Sequence, residues 1–157
     1  GKEAIEKLQR PHNHYSFRCA PQVLRAARDA IAYAKRIEEV EINAATDNPL
    51  VFLEDERCLS GGNFHGEPVS LAMDLLGIAL TVVGNISERR TASLDEKLNN
   101  GLSAFLIAPE AKKGLNSGLI TAQYTAAARA SENKVSADPA CVDVIPTSAN
   151  IEDFLSM

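Results

Sequence analysis

The 157-residue sequence contains no tryptophan, and aromatic residues make up only 5% of it. Its apolar content is mainly alanine, leucine, isoleucine and valine, which suits closely packed helices better than a small aromatic core. Basic residues are also in deficit, because 16 lysines and arginines against 21 acidic residues give a net charge of −5. An acidic chain is poorly matched to nucleic acid or to an anionic membrane surface, since both favour a basic face. We therefore expect neither partner.

Cysteines are few and widely spaced. Cys19, Cys58 and Cys141 are odd in number and form no CxxC pair, which argues against a disulfide framework and favours reduced thiols in the cytoplasm. The first residues, "GKEAIEKLQRP", lack the apolar core of a secretory signal. No uninterrupted apolar run is long enough to span a bilayer. These absences predict a cytoplasmic chain in the soluble globular class.

Metal and phosphate motifs are also missing. His12, His14 and His65 could in principle bind zinc, but structural zinc sites show clustered cysteine and histidine at recognisable spacing, so no metal site is predicted. The glycine-rich "SGGNFHG" matches neither GxGxxG nor a P-loop. It is interpreted as a tight loop that needs the backbone freedom of glycine.

Helical periodicity dominates what remains. Apolar residues recur at three- and four-residue steps and predict long helices from Pro21 to about residue 45, from Pro68 to Leu94, and over 115–137. Gly77 and Gly84 are costly inside the second helix by about 1 kcal/mol each, which is tolerable where another helix approaches closely. The fold class predicted is all-α, a bundle of long helices.

Two shorter segments complete the pattern. Val51 to Leu53 could form a short strand followed by an acidic hairpin turn. Near the end, Ser148 or Asn150 would cap a new helix, with Glu152 and Asp153 in its first turn. Residues 1–9 look like the last turns of another helix. Residues 1–157 are therefore predicted to be a single fragment of a central helical domain, truncated at both ends.

Tyr15 and Arg18 are the candidate chemical pair. Side chains three residues apart share one face of a helical turn. Arginine presents a planar fork that suits a carboxylate, and a nearby guanidinium favours the phenolate form in which tyrosine acts as a base. On spacing alone, ordinary packing beside a surface arginine is the favoured interpretation.

A run of motifs changes that interpretation. The motifs, in chain order, are "YSFRCAPQ", "EINAATDNPLVF", "LSGGNFHGEP", "GNISERR", "GLNSGL" with "AQYTAAA", "SENK" and "IPTSANIED". Together they closely resemble the central part of the histidine-specific branch of the aromatic amino acid ammonia-lyase family. The resemblance covers essentially the whole chain, which would be the middle third of a family member.

The resemblance implies a fold, an assembly and a reaction. Family members are all-helical homotetramers, and each active site is assembled from three subunits. The histidine branch eliminates ammonia from the small-molecule substrate L-histidine to give trans-urocanate. Its electrophile is 4-methylidene-imidazol-5-one (MIO), formed from an internal Ala-Ser-Gly. The present sequence contains no Ala-Ser-Gly, because the tripeptide lies upstream in the family, so the fragment alone is predicted to be inactive.

The same resemblance implies residue roles. Tyr15 falls on the tyrosine that removes the β-carbon proton, and Arg18 falls on the arginine that binds the substrate carboxylate. Phe64 falls on the phenylalanine beside the electrophilic ring and the substrate. Glu152 falls on the acidic residue that contacts the imidazole. His65 is typical of the histidine-specific branch.

The chain departs from the family at four positions. His12 and Asn13 replace a Gln-Asp pair, and the glutamine of that pair helps to order the active-site hydrogen bonds. Ile151 and Phe154 replace two polar groups that flank Glu152 in the family. These changes alter the polarity around the carboxylate, which leaves the substrate preference open.

Two alternative functions stay open on the sequence. A tyrosine or phenylalanine ammonia-lyase, or an aminomutase, shares the same electrophile, although His65 and Glu152 favour histidine. A protein of another class, a non-catalytic helical module retained for oligomerisation, would keep the helices without the chemistry.

Overall fold

The computed structural model describes residues 14–95, 102–112 and 114–156. The described chain is mostly helical, which confirms the all-α prediction. Its α-helices are α1 (Tyr15–Arg18), α2 (Ala20–Glu41), α3 (Glu67–Ala92) and α4 (Ile120–Ser136). Single 3-10 turns occur at Ser93–Asp95, Ala104–Leu106 and Ser148–Asn150. The predicted helical end at residues 1–9, and the departures at His12 and Asn13, lie outside the described residues.

Helix α2 shows how the alanine-rich sequence folds. Pro21 lies in its first turn, where the missing N–H would have no intrahelical partner. Ala27 and Ala34, seven residues apart, are buried on one face. The helix ends earlier than predicted because the Asn43 side-chain amide donates a hydrogen bond of 2.7 Å to the backbone carbonyl of Glu39. An amide that bonds the local backbone in this way competes with further helix.

The chain divides into two compact units. Of the described residues, the first unit comprises those within 14–26 and 81–133, and the second comprises those within 27–80 and 134–156. The prediction that residues 1–157 are a single fragment of one helical domain is not tested by this division and stays a prediction.

Close packing in the first unit explains one of the two helical glycines. A Cβ atom built on Gly84 would lie 3.2 Å from the side-chain nitrogen of Asn133 on α4. The hydroxyl of Thr81, one turn earlier, donates to the Asn133 carbonyl at 3.2 Å. The condition that makes a helical glycine tolerable, a closely approaching helix, is therefore met at Gly84. At Gly77 nothing within the described chain comes within 4 Å of the Cβ position.

The second unit contains a small hairpin. Strands β1 (Leu50–Phe52) and β2 (Arg57–Leu59) pair antiparallel, which confirms the predicted strand and acidic turn. The Asn48 side-chain oxygen accepts hydrogen bonds from the Ser60 hydroxyl at 3.1 Å and from the Gly61 amide at 3.0 Å. These bonds tie the base of the hairpin to the start of the glycine-rich loop.

The predicted helix near residue 150 is wrong. No α-helix begins within the described residues 148–156. Ser148, Ala149 and Asn150 instead adopt left-handed φ angles of 50°, 56° and 67°. Thr147 and Glu152 pair as an isolated β-bridge across this turn. The acidic side chain that looked like a first-turn residue is engaged by hydroxyl groups, so it does not compensate a helix dipole.

Helix α3 leaves a large part of its apolar surface exposed. An 18-residue window of it has a mean hydropathy of 1.8, and only 17% of that window is buried. By length and composition α3 could cross a membrane. Polar residues interrupt its apolar sequence, so it contains no continuous apolar run of that length. The core helix of a water-soluble protein can have the same length and composition. Its large exposed apolar side chains include Leu71, Met73, Leu75, Ile78, Leu80 and Val82.

Candidate functional site

The first part of the candidate site is the helical turn α1. As predicted, Tyr15 and Arg18 share a face, with the Arg18 Cζ atom 4.8 Å from the centre of the Tyr15 ring. This distance is within the range of a cation–π contact. The Tyr15 side chain is 70% exposed, so its hydroxyl-bearing ring is accessible. The turn therefore presents a base candidate and a carboxylate-binding candidate together.

Arg90 anchors this turn and was not predicted from the sequence. Its Nε atom donates a hydrogen bond of 2.8 Å to the backbone carbonyl of Ser16. Its Cζ atom also lies 5.7 Å from the centre of the Phe17 ring. The only sequence signal is its place in "GNISERR" near the end of α3, and that signal does not identify a partner 74 residues away.

A cavity of about 260 Å³ adjoins the same turn. Its lining residues are His14, Tyr15, Ser16, Arg89, Ala92 and Ser93. Arg89 is bound in two places by the buried Glu88 carboxylate, with contacts of 2.5 and 2.6 Å. These hydrogen bonds raise the pKa of Arg89. Tyr15 and the Glu88-bound Arg89 therefore both line this cavity.

The second part of the candidate site is the loop that carries Phe64. The Asn63 side-chain amide donates to the Ala45 carbonyl at 2.9 Å, and the His65 amide donates to the Gly62 carbonyl at 3.1 Å. These two bonds hold the loop on either side of Phe64. The Phe64 ring is 54% exposed, so it offers an open aromatic surface.

Glu152 lies in a closed loop of six residues, Thr147–Glu152. Its carboxylate accepts hydrogen bonds from the hydroxyls of Thr147 at 2.6 Å and Ser148 at 2.8 Å. These bonds lower the pKa of the Glu152 carboxyl, because they stabilise its charged form. The side chain is exposed, and its carboxylate is ionised at neutral pH. It can therefore accept a further hydrogen bond from an N–H group.

The Phe64 loop and the segment after Glu152 are joined directly. The His65 Nε2 atom lies 2.7 Å from the Phe154 carbonyl oxygen, and the two rings are 5.8 Å apart. The Gly66 amide donates to the Ser156 hydroxyl at 3.2 Å. The sequence did not predict these contacts. Phe154, one of the departures from the family pattern, therefore contacts His65 through its backbone carbonyl as well as through its ring.

The structure thus places the predicted residues in two sets. Tyr15 and Arg18 meet in the first unit, whereas the loop of Phe64 and the segment that follows Glu152 are joined in the second. Ile151, another departure, is 84% exposed. Within residues 14–95, 102–112 and 114–156, no group of three or more histidine, cysteine, aspartate or glutamate side chains could hold a metal ion.

Comparison with solved structures identifies the fold. Histidine ammonia-lyase from Trypanosoma cruzi is similar over 92% of this chain and 28% of its own, with 47% identity and a TM-score of 0.84. Phenylalanine aminomutase from Pantoea agglomerans is similar over 99% of this chain and 31% of its own, with 35% identity and a TM-score of 0.83. Ammonia-lyases and aminomutases therefore share this arrangement of helices and loops.

The sequence comparison defines the family. The model of the aromatic amino acid lyase family matches residues 3–157, so the chain belongs to this family. A histidine ammonia-lyase of Caldanaerobacter subterraneus subsp. tengcongensis is 57% identical over 94% of the chain. The chain spans about 28% of the length of that relative.

Proposed function

We propose that the chain is the central part of a histidine ammonia-lyase that eliminates ammonia from L-histidine to give trans-urocanate. The observation that carries this proposal is the exposed Glu152 carboxylate, which accepts hydrogen bonds from the Thr147 and Ser148 hydroxyls and has a lowered pKa because of them. Histidine differs from phenylalanine and tyrosine in offering an imidazole N–H to such a group. The similarity to histidine ammonia-lyases over nearly the whole chain supports the same substrate.

Each predicted residue has a role that fits its surroundings. The Arg18 guanidinium binds the substrate carboxylate through its planar fork. Glu152 accepts a hydrogen bond from the imidazole, and the exposed Phe64 ring packs against the substrate. Tyr15 takes the proton from the β-carbon. The electron pair of that C–H bond forms the new double bond as the C–N bond breaks. The C–N electron pair stays with nitrogen, so the protonated amino group (–NH3+) leaves as neutral ammonia.

The electrophile has to come from outside this sequence. MIO forms from Ala-Ser-Gly, and residues 1–157 contain no such tripeptide. The open Phe64 surface leaves room for a ring supplied by another segment. When bound, MIO makes the substrate amino group a better leaving group. Residues 1–157 alone are therefore proposed to bind parts of the substrate without turning it over.

The full-length protein is proposed to be a cytoplasmic homotetramer, as the family resemblance implies. The support in the structure is α3, whose apolar side chains Leu71, Ile78 and Leu80 are 48%, 41% and 54% exposed. Exposed apolar area of this extent favours association with another protein surface. This interpretation accounts for the hydropathy of α3 without a membrane partner.

Substrate specificity tests the proposal. The full-length protein is incubated separately with L-histidine, L-tyrosine and L-phenylalanine, and the unsaturated acids are followed by absorbance. Formation of trans-urocanate is expected, together with an intact mass lower by two waters at an upstream Ala-Ser-Gly.

Other products would contradict the proposal in distinct ways. Conversion of tyrosine or phenylalanine without urocanate would identify another lyase, and a β-amino acid product would identify an aminomutase. A stable assembly that converts none of the substrates would support an oligomerisation module.

A further inference from the structure

His65 makes hydrogen bonds at both ring nitrogens. Its Nδ1 atom accepts from the backbone amide of Glu67 at 3.2 Å, and its Nε2 atom lies 2.7 Å from the Phe154 carbonyl oxygen. An amide N–H can only donate and a carbonyl oxygen can only accept. The pair of partners therefore fixes the neutral tautomer that carries its proton on Nε2, and this proton is donated to Phe154.

The Glu67 contact fixes His65 to a rigid element. Glu67 is the first residue of α3, and the amides of Val69 and Ser70 donate to the Gly66 carbonyl at the same helix end. The imidazole is thus held by the beginning of a 26-residue helix. The Nε2 atom can then define the position of the Phe154 carbonyl to which it is hydrogen-bonded.

The segment bound by His65 belongs to the Glu152 loop. Thr147 and Glu152 close that loop by backbone and side-chain hydrogen bonds, so residues 147–152 behave as one body. The position of residues 147–152 then depends on the hydrogen bonds made by the residues that directly follow them. Those bonds are His65 to Phe154 and Gly66 to Ser156, two and four residues after Glu152.

We propose that His65 is a positioning residue that sets the location of the Glu152 carboxylate relative to Phe64, and so determines how well an imidazole is bound. This inference rests on the proposed function. His65 itself need not touch the substrate. It acts through the Phe154 carbonyl, and Ser156 adds a second, weaker connection between the same two segments.

Two substitutions separate the nitrogen atoms of His65. In His65→Gln the side-chain amide nitrogen lies at the level of Nε2 and can donate to Phe154. In His65→Asn the side-chain oxygen lies at the level of Nδ1 and can accept from Glu67, while the bond to Phe154 is lost. Only the asparagine variant should release the Glu152 segment.

Binding of trans-urocanate to the full-length holoenzyme, measured by calorimetry, provides a readout that does not need turnover. His65→Asn should weaken binding about tenfold, which corresponds to about 1.4 kcal/mol, whereas His65→Gln should stay within about threefold. Ser156→Ala should weaken binding by a smaller factor. The decisive comparison repeats these substitutions in a Glu152→Gln background. Each should then change urocanate binding by at most about twofold, because the Glu152 carboxylate through which they act is no longer present.

The outcomes are distinct. Equal losses in the two backgrounds would overturn the positioning role while leaving the proposed function intact. Failure of the unsubstituted protein to bind urocanate or to form it from L-histidine would overturn both. If His65→Asn fails to fold, as judged by thermal unfolding, His65→Leu, which also lacks the donor to the Phe154 carbonyl, is compared with His65→Gln in the same two backgrounds.

Discussion

The Tyr15–Arg18 turn and the Thr147–Glu152 loop hold their candidate side chains in opposite ways. The turn is a four-residue helix whose Ser16 carbonyl is bound by Arg90, a residue 74 positions away. The loop closes on itself through two backbone and two side-chain hydrogen bonds between residues 147, 148 and 152. Substitutions far along the chain should therefore affect the base candidate, whereas substitutions within the loop should affect the carboxylate.

The loop also stores backbone strain that the turn does not. Its three consecutive left-handed residues, none of them glycine, cost about 1–2 kcal/mol each. Strain of this kind persists only where surrounding contacts determine the conformation, and it is common at functional sites. The bonds to the Glu152 carboxylate supply such contacts.

The largest expected effect is at the turn. Tyr15→Phe in the full-length protein should lower kcat for L-histidine by about 10²–10⁴-fold, the usual contribution of a positioned acid or base, and should leave the assembly intact. Urocanate formation and size-exclusion chromatography measure the two quantities. Tyr33→Phe is a matched control, because Tyr33 also lies beside an arginine three residues later, Arg36 at 5.4 Å. Comparable rates in the two variants would remove Tyr15 from the mechanism.

The Arg90 anchor should have the next largest effect. Arg90→Met removes the hydrogen bond to the Ser16 carbonyl and the contact with Phe17, so kcat should fall about tenfold, or about 1.4 kcal/mol of barrier. Arg129→Met, which removes only an exposed ion pair with Glu132, should leave kcat unchanged. Steady-state kinetics with L-histidine distinguish the two. An unchanged kcat in the Arg90 variant would show that the turn holds its geometry without this anchor.

The loop predicts a pH effect. The Thr147 and Ser148 hydroxyls lower the pKa of Glu152, so the carboxylate and its stabilising bonds are present above the ordinary glutamate range and are lost as pH falls through the lowered pKa. A Thr147→Val, Ser148→Ala double variant should move the acidic limb of kcat/KM for L-histidine to higher pH.

Thr125→Val is the control for that profile, because the Thr125 hydroxyl bonds only a helix carbonyl, that of Thr121, at 2.9 Å. Its acidic limb should match that of the unsubstituted protein. An unmoved limb in the double variant would mean that Glu152 does not govern substrate binding.

The smallest expected effect is on stability. Ala149 has a φ angle of 56°, so Ala149→Gly relieves left-handed strain and should raise the free energy of unfolding by about 0.5–1 kcal/mol after the entropic cost of glycine. The same change at Ala128, exposed within α4, should lower it by about 1 kcal/mol. Chemical denaturation measures both. A loss of stability at position 149 would show that the loop is not strained.

Local pattern predicted the helices, the hairpin and the shared face of Tyr15 and Arg18, because each depends on residues a few positions apart. It failed at Glu152, since a serine, an asparagine and two acidic residues in this order resemble a capped helix as well as a left-handed turn. The contacts of Arg90 and His65 span 74 and 89 residues. Such pairings are set by tertiary packing, and no spacing rule identifies them.

A polar pair in the second unit is equally hidden from the sequence. The Asp74 carboxylate accepts a hydrogen bond from the Cys141 backbone amide at 2.7 Å. The same carboxylate and the burial of the thiol raise the pKa of Cys141 to about 11. This pair fixes the start of the segment that leads to the Glu152 loop, and neither residue stood out in the sequence beyond the count of cysteines.

A crystal structure of the full-length protein with trans-urocanate would show whether the two sets of residues bind one molecule. We expect an imidazole nitrogen within hydrogen-bonding distance of the Glu152 carboxylate and the product carboxylate bound by Arg18. We also expect Tyr15 to face the carbon from which the proton was removed. An imidazole bound away from Glu152, or a product carboxylate bound elsewhere than Arg18, would contradict the assignment of the site.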